Sequence, residues 1–118
     1  MKSLSFLIAA LLAVPVHTFA ADAVKVDVYL AGQLQNSISL VGPNATVKFS
    51  PTDMPGSMLE LRLIAPEPVI IEMKETMADG KGAEVIGRIK MPTPGSSFAV
   101  AEMKGAKFHS PYVLVRPN

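Results

Sequence analysis

The sequence has no cysteine, no tryptophan, only 6% aromatic residues, two histidines and no large excess of either charge. Without cysteine there is no disulfide, no thiolate metal site and no lipid-acceptor residue, so the fold must stand on its core. Lys2 is the one basic residue of the leader, which leaves the basic and acidic residues of the remaining chain balanced. With no basic excess or Lys/Arg cluster there is no footprint for phosphate neutralisation, which argues against nucleic acid as a partner. Nor is there a basic amphipathic helix to hold the chain on a membrane surface.

Long apolar runs are missing too. The longest, Leu4 to Val16, follows Lys2 and contains Pro15. It is shorter than the roughly 20 residues a membrane-spanning helix needs. A basic residue, a short apolar run and then His17-Thr18-Phe19-Ala20-Ala21 is the order of a removable secretory signal, with small residues at Thr18 and Ala20 before the cut. Cleavage is expected after Ala20, and Ala21-Asp22-Ala23 offers a second site. Residues 1–20 are thus expected to be a signal peptide and 21–118 a single domain. Roughly 100 residues make one core and not two. A bacterial periplasmic or secreted location follows.

Past the leader, short stretches alternate between apolar and polar residues and are bounded by Gly, Pro, Asn and Asp, the pattern of strands joined by turns. Eight strands are expected: Val24–Leu30, Leu34–Val41, Ala45–Phe49, Met58–Ile64, Val69–Met77, Ala83–Met91, Ser97–Met103 and Tyr112–Arg116. The prolines after the leader all fall between them, as the missing amide hydrogen requires. The stretch Val69–Met77 also fits one side of a helix, between Pro68 and Gly80. Ser97–Met103 is ambiguous in the same way, so the fold class that results is all-β, a small antiparallel sandwich or flattened barrel of seven or eight short strands built largely from hairpins.

Two hairpins can be taken to register, because a one-residue slip would turn the apolar face outward. A three-residue loop Ala31-Gly32-Gln33 sets Leu30 against Leu34, Val26 against Ile38 and Val24 against Leu40, with Tyr29 opposite Gln35 on the solvated face and Asn36 the one polar residue on the apolar side. A loop Asp79-Gly80-Lys81 pairs Val69 with Met91, Ile71 with Ile89, Met73 with Gly87 and Met77 with Ala83. Glu75 then breaks the apolar face near the hairpin end, where water is expected to reach it.

Catalytic signatures are absent. His109 is the only histidine after the leader, and Ser110 beside it points the other way on an extended chain. Glu72 and Glu75 fall on opposite faces of one strand. Gly80-Lys81-Gly82 lacks the spacing of a phosphate loop, Gly95-Ser96-Ser97 is no nucleophile elbow, and Asn44-Ala45-Thr46 is a glycosylation sequon too short to carry weight. A small hydrolase is the most distant reading.

Two features point to binding. The outer face of the second hairpin sets Ile70 and Ile86 among Glu72, Lys74, Arg88 and Lys90, an apolar pair with a charged rim of the kind proteins dock on. The expected function is accordingly a non-catalytic binding or accessory module of the cell envelope acting through a protein partner, with no cofactor. The second feature is methionine, at Met73, Met77, Met91 and Met103 with His109. Thioethers are soft donors suited to Cu(I). The order Met, turn, Met and His resembles small exported β-sandwich copper carriers, without reproducing a motif of theirs. A copper carrier is therefore the alternative, weighed against methionine as ordinary core filling.

Overall fold

The computed structural model describes residues 23–77, 80 and 82–118. The leader and its cleavage sites, and the loop residues Asp79 and Lys81, lie outside the described residues. The rest forms two four-stranded antiparallel sheets. In chain order the strands are β1 (Ala23–Leu30), β2 (Gln33–Val41), β3 (Thr46–Phe49), β4 (Ser57–Pro66), β5 (Val69–Met77), β6 (Val85–Lys90), β7 (Ser97–Ala99) and β8 (Tyr112–Val115). One sheet runs β2-β1-β8-β7 and the other β3-β4-β5-β6. The second is a plain meander, and the chain crosses between sheets only before β3 and after β6. No helix among the described residues is long and apolar enough to cross a membrane.

Alternation builds the core. Val24, Val26, Val28 and Leu30 of β1 face Leu59, Leu61 and Leu63 of β4 and Ile71 of β5 in one buried cluster, closed by Tyr112 and Leu114 of β8. Each such aliphatic side chain stabilises the fold by about 1.5–3 kcal/mol when fully buried. Val69–Met77 is a strand and not a helix, because its period-2 burial places Val69, Ile71 and Met73 inward between two neighbouring strands.

The first hairpin corrects the expected loop. Ala31 and Gly32 both take positive φ, 52° and 79°, so the turn has two residues, the tight form whose twist suits a hairpin. Tyr29 therefore pairs with Leu34 and Leu30 with Gln33, while Val28 still pairs with Asn36 and Val26 with Ile38. Gln35 is the extra residue, a β-bulge. It carries the predicted faces with it: Leu34, expected in the core, is 51% exposed, and Gln35, expected in solvent, is 9% exposed.

The second hairpin has the expected register from Ile70↔Lys90 to Glu75↔Val85, with Met91 N–H donating to Val69 O at 2.9 Å beyond it. Its ladder starts at Val85, so Ala83 lies outside the strand. At the other hinge, Pro66 is the last residue of β4 rather than a linker residue, and the Glu67–Pro68 bond beside it is cis. The seventh strand is shorter than expected. It ends at Ala99, and Val100–Glu102 makes a single 3₁₀ turn that buries Val100, with Met103 N–H donating to Val100 O. That turn lifts the chain off its sheet edge and sends residues 103–111 across the end of the other sheet.

Candidate functional site

The crossing segment meets the inner face of β5 and β6 where their apolar pattern fails. Glu75 lies there at 0% exposure, which corrects the expectation that water reaches it. The 103–111 segment covers the hairpin end, and one of its own amides supplies the partner: His109 N–H donates to Glu75 Oε1 at 2.7 Å. Oε2 has no hydrogen-bond partner, and neither does the hydroxyl of Tyr112, which is equally buried. Ser57 and Ser110 complete this polar pocket inside the sandwich; both are buried.

Burial pushes the Tyr112 phenol above its ordinary value, and the nearby Glu75 carboxylate pushes it further the same way. The Ser57 and Ser110 hydroxyls pull it back in part, from positions that complete no hydrogen bond to it. The Ser57 hydroxyl instead donates to Met77 Sδ at 3.7 Å, across the β4–β5 ladder in which Ser57 and Met77 are paired.

Three of the five residues singled out for soft-metal chemistry lie along this part of the molecule, in two pairings that share His109. Gly82 brings two of them together: a Cβ there would lie 3.5 Å from Met77 Cγ and 3.5 Å from His109 Cε1. Met103 lies over Gly87, whose missing side chain makes the space; a Cβ there would overlap Met103 Sδ. Met103 and His109 both line a cleft of about 510 Å³ walled by Val100, Ala106, Phe108 and Pro111. The His109 ring is exposed, with Nε2 3.3 Å from Ala83 O. The other two take core positions. Met73 and Met91 are fully buried, Met91 at the far end of β6 beside Val69. Among the described residues no three His, Asp or Glu side chains gather into a metal cluster, so any ion here would rest mainly on thioethers and one imidazole.

The outer face of the second hairpin is arranged differently from an apolar centre with a rim. Ile70 opposes Lys90 and Ile86 opposes Lys74, and the Glu72–Arg88 pair lies between the two isoleucines. Glu72 is held by Arg62 at 3.0 Å and Arg88 at 3.3 Å, and Lys74 reaches Glu60 at 3.7 Å and Glu84 at 3.6 Å. The charges thus answer one another along the sheet. Ile86 is 48% exposed and Ile70 half-buried, and the two do not touch across the ladder.

Sequence reasoning found Met77, Met103 and His109 by type, and missed Tyr112, Ser57 and Gly87. A tyrosine opening an apolar strand reads as core, and no local pattern shows that its hydroxyl is buried near a carboxylate from another sheet. Compared with known proteins, the chain matches no family model, no curated protein and no solved structure.

Proposed function

We propose that this chain is an exported, non-catalytic binding module of the cell envelope, and that its ligand is a soft metal ion, Cu(I), taken at the end of the sandwich where the 103–111 segment crosses β5 and β6. The observation that carries this reading is that His109 stands beside Met77 at Gly82 and shares the wall of one cleft with Met103. Thioether and imidazole are donors that suit Cu(I) and that do not compete for Ca(II) or Mg(II). The sequence order of a leader followed by a cysteine-free domain supports export, with the mature chain starting at Ala21. The non-catalytic part rests on the sequence, which carries no catalytic signature around His109, its one histidine after the leader.

The test is anaerobic titration of the exported protein with Cu(I) against a Cu(I)-selective chelator. One equivalent should bind. Met77→Leu with Met103→Leu and His109→Ala should remove it, while Met91→Leu, in the core, should not. No uptake by the wild type, or uptake surviving the triple replacement, refutes the reading.

A second reading keeps a protein partner at Ile70, Glu72, Lys74, Ile86, Arg88 and Lys90, and the exposure of Ile86 favours it. Ile86→Asp should then abolish partner capture while leaving folding within about 0.5 kcal/mol. Unchanged capture by the folded variant would remove this surface.

A further inference from the structure

Four strands form the edges of the two sheets, and three of them carry protection against pairing with another chain. β3 has four residues and carries Lys48; β6 presents Arg88 and Lys90; β7 has only three residues. Short length and charge are the usual devices that blunt an edge. β2 has neither. It is nine residues long, with no Lys, Arg, Asp, Glu or Pro, and the chain carries no charged side chain anywhere from Val28 to Val47. The bulge at Gln35 disturbs only its start, so Asn36–Val41 is a regular strand whose outer row of backbone donors and acceptors pairs with no other strand among the described residues.

We propose that β2 pairs with β2 of a second copy of this chain, antiparallel about a two-fold axis through the Ser37–Val41 stretch, joining two four-stranded sheets into one of eight strands. Directly opposed side chains in an antiparallel pair share a face. On the inner face Ile38 and Leu40, both buried, would continue the core row across the axis. On the outer face Ser37, Ser39 and Val41 are exposed, and Val41 at 58% is among the most exposed large apolar side chains of the described residues. With the axis at Ser39, that residue opposes its own copy, Ser37 opposes Val41 and Ile38 opposes Leu40 of the second copy, and no like charges meet, so the strand is complementary to itself. A foreign strand would find no charge and no pocket here to select it. The contact is isologous, which closes at a dimer and cannot propagate into a fibre.

The test is sedimentation equilibrium of the exported protein over a wide range of concentration. The wild type should approach twice the monomer mass at the upper end. Ser37→Lys with Ser39→Lys should stay monomeric, with an unchanged circular-dichroism spectrum because both sites are exposed. Mixing it with Ser37→Glu with Ser39→Glu should restore the dimer as a heterodimer. A wild type that is monomeric throughout overturns the proposal, and a foreign extended peptide that protects the β2 amides of that monomer would show the edge serving another partner. A dimer that survives the lysine replacements overturns it as well, by placing the interface elsewhere.

Discussion

The side chain of Gln35 closes on Asp53 with two hydrogen bonds, Nε2 to Oδ2 at 2.7 Å and the Asp53 N–H to Oε1 at 2.8 Å. This pair ties β2 of one sheet to the β3–β4 connection of the other, and Gln35 Nε2 also donates to Gln33 O at 3.0 Å. The bulge is what turns the amide inward. Gln35→Ala should cost about 0.5–1.5 kcal/mol, the net worth of a hydrogen bond, since Asp53 is exposed and water takes over its amide and carboxylate. Urea unfolding of Gln35→Ala, Asp53→Ala and the double variant should give a coupling of at least about 0.5 kcal/mol. Additive losses would mean that the two side chains act independently.

Glu75 makes a different demand on the fold. Its Oε1 is the acceptor for the His109 amide, and Oε2 has none of its own. Glu75→Gln keeps an acceptor for His109 and brings an N–H toward the unpartnered Tyr112 hydroxyl, so it should match or exceed the wild type in urea. Glu75→Ala should lose more than about 1 kcal/mol, because the part-buried N–H of His109 is then unanswered and a cavity is left where Glu75 was fully buried. A loss by Glu75→Gln equal to that of Glu75→Ala would show that the negative charge, and not the acceptor, is what this site requires.

Tyr112 sets an upper pH limit. Folding raises its phenol above the ordinary value of 10.0, so the folded chain keeps the proton at pH values where the unfolded chain has released it. Stability is therefore full below pH of about 10 and falls as the pH rises beyond it. Tyr112→Phe should remove that fall. At pH 7 it should change stability little, because the hydroxyl it deletes has no hydrogen-bond partner. Urea midpoints for both proteins between pH 8 and about 11 make the comparison. Parallel curves would place the alkaline loss in other groups.

The strands and the second register were legible because they depend on alternation along a chain, which sequence carries directly. What was not legible depended on one torsion or on a distant segment. The left-handed φ of Ala31 shortens the first turn and thereby moves Gln35 from the solvent face to the core, an outcome that reverses two faces while leaving Val26↔Ile38 untouched. Glu75 reads as wet at the end of a hairpin until the chain 34 positions later lays its own amide against it. The donor types at Met77, Met103 and His109 could be read from sequence. The approach of Met77 to His109 at Gly82, and of Met103 to Gly87, could not, because a glycine announces space without saying what fills it.

Gly87 provides the last prediction. It pairs with Met73 on β5, and Met103 from the crossing segment occupies the volume a side chain would take. Gly87→Ala thus meets the flexible end of a methionine, not backbone, and Met103 is able to swing away at modest cost. The swing should loosen the segment that Met103 helps to hold, and with it the cleft wall shared by Met103 and His109. The expected result is a destabilisation of about 1–3 kcal/mol, the usual cost of overpacking, together with faster amide exchange in residues 103–109. Met103→Ala alone should also destabilise, by removing packing. The double variant should be more stable than the sum of the two losses implies, because the alanine methyl at position 87 enters space that Met103 has left. Strict additivity would show that Met103 does not sit in the Gly87 space in solution, and would separate it from Met77 and His109 as a member of the site.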